Sequence, residues 1–423
     1  MLVRLGKRFR TESSTPNLPP GPWKLPVIGS LHLLAGPLPH QKLRDMAEKY
    51  GSLMHLQLGQ LSNIVVSSPQ TAAEVMRTHD IIFSIAKDLC AGDVKSKTCA
   101  IVHSDSGRRG IEAGYSNFFK SRITSQPQEV LRFGAGFNVA DLFPSAKLLE
   151  YITGLRPKVE RLHQNLDKIF ESVIDEHKAS KGIEGEPDGL VDVLLNLQEN
   201  GDLEFPLTTD NIKAVIMDIF IAGSDTSFTT LEWAMSEMLK TPRVMQKAQA
   251  EVRQVFNRKG NVDSEGLHEL EYLKLVISET FRLHPPLPLL LPRECSQGCK
   301  INGYDIPVKS RVIVNAWAIG RNSEYWDEAE RFYPERFINS SVDYKGANFE
   351  LIPFGAGRRM CPGMLFGIAN VELPLAKLLY HFDWKLAGGR KLEDLDMDEV
   401  FGAVVRRKND LCLVPTPYSP VAG

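Results

Sequence analysis

No run of eighteen apolar residues occurs in this sequence, so no segment reads as a helix that crosses a bilayer. Cysteine is scarce. The six residues Cys90, Cys99, Cys295, Cys299, Cys361 and Cys412 are spread over 423 positions, which does not resemble a disulfide framework and reads as a chain made for a reducing compartment. Cys295 and Cys299 stand four apart, but no second pair or nearby histidine completes a zinc set. Charge of either sign is not in excess. The formal net charge is -2, which gives no footprint for nucleic acid. No internal repeat and no long low-complexity tract is visible, and no tryptophan lies between Trp23 and Trp233. What is present, 43% hydrophobic and 24% charged residues, is ordinary for a soluble globular chain.

One cysteine stands apart by its surroundings. Phe354-Gly355-Ala356-Gly357-Arg358-Arg359-Met360-Cys361-Pro362-Gly363 is a glycine-rich, doubly basic turn, followed by an apolar run over 364–379 that reads as a helix. Proline suits the first position of such a helix. A thiolate there would meet unpaired backbone N–H groups and the positive end of the helix dipole. That setting predicts a lowered thiol pKa and a sulfur prepared to bind metal. Arg358 and Arg359 add positive charge suited to a carboxylate-bearing cofactor. The plain alternative is a buried cysteine in a turn before a core helix, the usual fate of a lone cysteine.

This stretch resembles the haem-binding loop of cytochromes P450, Phe-x-x-Gly-x-Arg-x-Cys-x-Gly, at all five fixed positions: Phe354, Gly357, Arg359, Cys361 and Gly363. The resemblance implies a haem b whose iron is bound by Cys361, with thiolate donation favouring O–O cleavage. It also implies that Arg359 pairs with a haem propionate and that Phe354 packs beside the sulfur. The fold it implies is mainly α, a helical bundle with small β-sheets.

Further motifs agree in order. Helical spacing of Ile212, Val215, Ile216, Ile219 and Phe220 predicts a long helix over 208–239. It carries Ala222-Gly223-Ser224-Asp225-Thr226, although mid-helix glycine costs about 1 kcal/mol relative to alanine. The run resembles the oxygen-activating motif of the same family. It implies that Gly223 lets the helix open beside bound dioxygen, that Thr226 stabilises the iron-bound peroxo group, and that Asp225 relays protons. Glu279 and Arg282 share a helix face over 272–284. With Pro334-Glu335-Arg336-Phe337 downstream they resemble the family's Glu279–Arg282–Arg336 network, architectural in role and steadying the cysteine segment. Arg293, in Leu291-Pro292-Arg293-Glu294, is carried over as a second propionate partner. The substrate pocket expected by analogy includes Ala222, Leu287, Leu289, Phe401 and Val404, mostly apolar.

The N-terminal part predicts a helix over 41–50, strands over 52–58 and 62–66 around Gly59-Gln60, and a helix over 69–78. Further helices are expected over 157–179, 190–198 and 243–258, with strands near 300–301 and 311–315. The expected organisation is a basic tail over 1–18, a proline-rich hinge over 19–29, one P450 domain over 30–415, and a tail over 416–423. Leu18-Pro19-Pro20-Gly21-Pro22-Trp23 closely resembles the hinge of microsomal plant P450s. That family places a hydrophobic anchor ahead of the basic stretch. Here the basic stretch is present without the anchor, which points to a truncated sequence. Segment 84–134 is atypical. It is too short for the helices the family places there, and the Trp-x-x-x-Arg motif of one of them is missing.

The reaction implied is monooxygenation of a hydrophobic small molecule, a plant terpenoid being the nearest likeness. No flavin or nicotinamide motif is visible, so electrons would come from NADPH through an NADPH–cytochrome P450 reductase, at the cytoplasmic face of the endoplasmic reticulum membrane. The alternative implied by the short segment is an inactive P450 fragment that binds haem poorly.

Overall fold

The computed structural model describes residues 16–83, 85–86, 142–145, 154–180, 189–201 and 206–419. The tail over 1–15 and nearly all of the atypical segment 84–134, with the missing motif expected in it, lie outside the described residues. Among those described, the helices are α1 (Pro39–Tyr50), α2 (Pro69–Ala73), α3 (Leu155–Ser180), α4 (Leu190–Asn200), α5 (Thr209–Lys240), α6 (Pro242–Phe256), α7 (Glu271–Leu283), α8 (Ala316–Ile319) and α9 (Met364–His381). Seven expected helices find a counterpart within a few residues. The helix expected over 69–78 is divided. It is α-helical to Ala73, then a π turn over Glu74–Thr78 lets the His79 N–H reach Glu74 O at 2.8 Å.

Local chemistry explains where these helices begin. α1, α2 and α6 open on proline, whose φ is already helical and whose missing N–H costs nothing there. α5 opens on a reciprocal cap. Asn211 N donates to the Thr208 hydroxyl (3.2 Å) and Thr208 N donates to Asn211 Oδ1 (3.0 Å). α7 has no capping side chain at its own N-cap. Glu251 of α6 supplies it, accepting from Tyr272 N (2.6 Å) and Leu273 N (2.9 Å). That carboxylate also suits the positive end of the helix dipole.

The main core lies among α5, α6, α7 and α9. Met235 and Met238 of α5, Val244, Ala248 and Val252 of α6, Val276 and Ile277 of α7, and Val371 and Leu375 of α9 are all buried there. A five-stranded sheet with order β1-β2-β7-β4-β3 forms a second layer. Its strands are β1 (Leu53–Leu58), β2 (Leu61–Val66), β3 (Ile85–Ala86), β4 (Arg293–Glu294) and β7 (Arg311–Val314). β2 and β7 run parallel, Val66 against Val314, and the other pairs are antiparallel. β2 shows buried Ile64, Val65 and Val66 in succession, as expected for a strand covered on both faces. Among the described residues three two-stranded ribbons complete the set: β5 (Cys299–Ile301) with β6 (Tyr304–Ile306), β8 (Phe382–Leu386) with β11 (Leu413–Pro417), and β9 (Glu399–Val400) with β10 (Arg406–Arg407). The architecture is mainly helical with small sheets, the class expected. No helix among the described residues is long and apolar enough to cross a membrane.

The β1–β2 turn requires glycine. Gly59 has φ +56°, and a Cβ there would lie 2.5 Å from Leu142 O, which also accepts from Gln60 N at 2.8 Å. Residues 142–145 thereby dock on the hairpin.

His55 of β1 is buried, with its Nε2 3.0 Å from the Ser62 hydroxyl. Burial, then the charge of Lys24, lowers its pKa from 6.5 to about 4. The charged form is therefore disfavoured in the folded state. The associated stability is intact above pH 6.5 and is lost as pH falls towards 4, at about 1.4 kcal/mol per pH unit. Urea unfolding at pH 7.5 and pH 5 is expected to show this loss, and the His55→Gln variant is expected to lack that component of the slope.

Candidate active site

The loop around Cys361 folds where only glycine fits. Gly355 and Gly357 have φ +69° and +72°. A Cβ on Gly357 would stand 2.0 Å from Met76 O and 2.8 Å from Asp80 Oδ1. The loop can thus press directly onto residues 74–80. Asp80 holds it there, accepting from Arg358 N at 2.8 Å. Arg293, buried on β4, joins the two pieces. Its Nη1 donates to Asp80 Oδ1 (3.3 Å) and its Nη2 to Ala356 O (2.8 Å). Cys361 N donates to Phe354 O at 2.9 Å, which closes the loop. Phe354 sets its ring edge-on against Phe281 of α7, centroids 5.1 Å apart.

Two expectations about the sulfur are corrected. Pro362 does not occupy the first helical position, because Gly363 is the cap and α9 starts at Met364. The thiol pKa is raised rather than lowered. Cys361 is exposed by surface area, yet the protein atoms packed near its sulfur disfavour charge, and the hydrogen bond from the Gly363 backbone only partly offsets them.

The donor chemistry nevertheless fits a porphyrin iron. One soft sulfur lies on an exposed loop that also carries Arg358 and Arg359. Burial lowers the pKa of Arg293, the Asp80 carboxylate opposes that, and the Arg359 charge adds to it. Two guanidinium groups within range of mutual repulsion are relieved by an anionic carboxylate. Arg359 itself is exposed.

α5 is continuous through its polar turn at Gly223. The Thr226 hydroxyl donates to Ala222 O at 2.5 Å, within its own helix. A Cβ on Gly223 would lie 3.4 Å from the Phe366 ring of α9, an ordinary van der Waals contact. Ile219, Ala222 and Thr226 form a stripe at helical spacing that stays wholly or partly open, while Ile212 and Ile216 are buried against α3 and α4. Asp225 is raised in pKa by burial, which Arg406 of β10 counters from 3.6 Å. Its Oδ2 is buried and finds no hydrogen-bond donor.

Glu279, Arg282 and Arg336 do come together. Arg282 grips Glu279 with Nε to Oε2 (2.7 Å) and Nη2 to Oε1 (2.8 Å), and Arg336 Nε reaches Oε1 at 3.0 Å. The expected pocket residues are placed unequally. Leu289 is buried and shares a cluster with Phe401, Leu287 is half-buried, and Val404 is buried. Residues 401–405 form the tip of the β9–β10 hairpin, anchored by Val405 N on Pro286 O (2.9 Å) and by Trp233 Nε1 on Val405 O (3.4 Å).

Sequence reasoning missed Asp80 and Arg406. Asp80 gives no local signal, because its partner Arg293 is 213 positions away. Arg406 had one: Arg406-Arg407 directly follows an apolar run, and such a doublet needs buried counter-charges if the run is inside.

A family model described as Cytochrome P450 matches residues 19–109 and 123–414. Desmethyl-deoxy-podophyllotoxin synthase of Sinopodophyllum hexandrum is 50% identical, over 98% of this chain and 94% of its own length. Premnaspirodiene oxygenase of Hyoscyamus muticus is 46% identical, over 99% and 96%. Salviol synthase of Salvia pomifera is 44% identical, over 98% and 95%. These alignments extend over 481, 486 and 478 residues, against 423 in the chain, so the relatives carry sequence that this chain lacks. The family match is interrupted at 110–122, inside the segment read as atypical.

Proposed function

Because the chain belongs to the cytochrome P450 family, we propose that it is a haem-thiolate monooxygenase that inserts one oxygen atom into a hydrophobic plant metabolite of the terpenoid class. The observation that carries this reading is the Cys361 loop, pinned to residues 74–80 through Asp80 and Arg293. Cys361 would hold the iron of haem b, and Arg359 and Arg293 its propionates. When bound, the haem supplies activation of dioxygen with electrons drawn from NADPH through a partner reductase. The work site is the endoplasmic reticulum membrane, at its cytoplasmic face.

The protein's own groups manage protons and shape. Asp225, raised by burial and opposed by Arg406, can hold a proton at Oδ2 and pass it on. Rotation about the Thr226 side chain releases its hydroxyl from Ala222 O, so it can donate into the space beside Ala222. Ala222 and Phe401 offer apolar surface to the substrate, and half-buried Leu287 and buried Leu289 and Val404 would back that wall. The relatives named for premnaspirodiene and salviol favour a terpenoid skeleton.

The test is a reconstituted assay. Holoprotein, reductase and NADPH are incubated with apolar terpenes, premnaspirodiene first, and products are read by mass spectrometry. A product heavier by one oxygen is expected, carrying label from 18O2. A second reading is favoured by the interrupted family match at 110–122 and by the 58% exposure of Phe228 on α5. In that reading the chain is an inactive fragment, and purified protein takes up no haem.

A further inference from the structure

The β9–β10 hairpin is held by charge on both arms. Arg406 faces Asp225 of α5 at 3.6 Å, and Arg407 faces Glu232 at 3.9 Å and donates to the Ser236 hydroxyl at 3.0 Å. The other arm carries Glu399, whose side chain is only 8% exposed. His40 Nε2 of α1 lies 3.0 Å from its Oε2, and His284 Nδ1, at the end of α7, lies 3.7 Å from its Oε1. His284 Nε2 in turn lies 2.8 Å from Glu237 Oε1 of α5. Aromatic rings pack this chain. Trp233 stacks on His284 at 4.0 Å and 5°, and Phe401 of the hairpin tip stacks on His40 at 6.0 Å and 26°.

We propose that Glu399 is a positioning residue for the substrate wall, fixing residues 401–405 against α1 and α5 through the buried chain His40–Glu399–His284–Glu237. The proposal rests on the reading that residues 401–405 line the pocket. Two links of this chain are hydrogen bonds, His40 to Glu399 at 3.0 Å and His284 to Glu237 at 2.8 Å, and the 3.7 Å span from His284 Nδ1 to Glu399 is a looser contact that the stacked Trp233 ring holds in place. Burial tends to raise the pKa of both carboxylates, but the imidazole partners prevail and hold both below the usual value. The other groups facing these carboxylates are cationic or neutral. Gln41 donates to Glu399 at 3.5 Å. Arg321 faces both carboxylates, and Lys240 and Arg407 face Glu237.

The experiment uses purified holoprotein, with 1-phenylimidazole as probe because it ligates haem iron while its ring contacts the distal wall. Binding is read by difference spectroscopy at pH 7.5, and amide exchange of residues 401–405 is followed alongside. Glu399→Gln is expected to bind roughly 2- to 30-fold more weakly than wild type, the span typical of coupling through packed side chains. Exchange at the Val405 amide should quicken in the variant, and that readout survives if haem is lost. His40→Gln should reproduce both effects in weaker form. Val404→Phe is the control for the wall itself. If Val404→Phe alters binding while Glu399→Gln keeps the wild-type affinity and exchange, the proposal is overturned and the pocket reading stands. If Val404→Phe leaves binding unchanged, the pocket reading fails and takes the proposal with it.

Discussion

Replacement of Cys361 by serine is expected to abolish the thiolate-type Soret shift in the carbon monoxide difference spectrum and to bring product formation below detection. Serine keeps the shape of the residue, so the backbone of the loop should persist. Cys361 N would still donate to Phe354 O, and Asp80 would still receive Arg358 N and Arg293. What changes is the donor atom. A hydroxyl oxygen is hard and weakly acidic, whereas a thiolate is soft and donates strongly to iron. The raised thiol pKa sharpens the expectation. Before metal arrives, burial keeps the sulfur neutral, and a coordinating cation deprotonates it. Haem uptake should therefore release a proton in wild type and none in the serine variant, measurable in weakly buffered solution. Circular dichroism matching wild type would show that the fold is retained. A Cys361→Ser protein with an unchanged spectrum and unchanged oxidised products would end the assignment.

Much of this architecture was legible because it is encoded locally. The start of α5 is written in Thr208 and Asn211, and its length in apolar positions spaced at helical period. The Glu279–Arg282 contact follows from three-residue spacing on one helix. The cysteine loop carries its own glycines at positive φ. What was not legible is long-range. Asp80 meets Arg293 and the cysteine loop only once the sheet and the 74–80 turn are assembled. His40 meets Glu399 across 359 positions. One local reading failed through competition. The helix-start argument for Cys361 weighed one favourable backbone donor and left out burial, which outweighs it.

Arg282→Met is expected to cost about 3–5 kcal/mol of folding stability, the range for breaking a buried ion pair by removing one partner. Arg282 is 1% exposed and lies over the Trp326 ring at 5.3 Å. Besides Glu279, its guanidinium donates to Gly320 O (2.6 Å), Ala329 O (2.6 Å) and Arg331 O (3.2 Å). Methionine fills much of the volume but takes the Arg282 donors away from Gly320 O and Ala329 O, leaves Arg331 O with Arg336 Nη2 at 3.2 Å, and leaves Glu279, fully buried, with only Arg336 Nε and the Tyr333 N–H at 2.8 Å. Domain stabilities of about 5–15 kcal/mol leave little after such a loss. A lower urea midpoint and a lower soluble yield are the measurements. The paired variant Glu279→Gln with Arg282→Met discriminates between explanations, because the uncompensated buried charge is then gone. Its loss should be smaller than the sum of the two single losses. Strict additivity would show that the contact is incidental. The damage should also reach the cysteine loop. Phe281, the neighbour of Arg282 on α7, holds Phe354 edge-on at 5.1 Å, so a loosened α7 frees the residue whose carbonyl closes that loop on Cys361. Arg282→Met holoprotein is therefore expected to lose haem to an apo-globin acceptor faster than wild type, at a urea concentration where both remain folded. Equal loss rates would confine the network to global stability and detach it from the site.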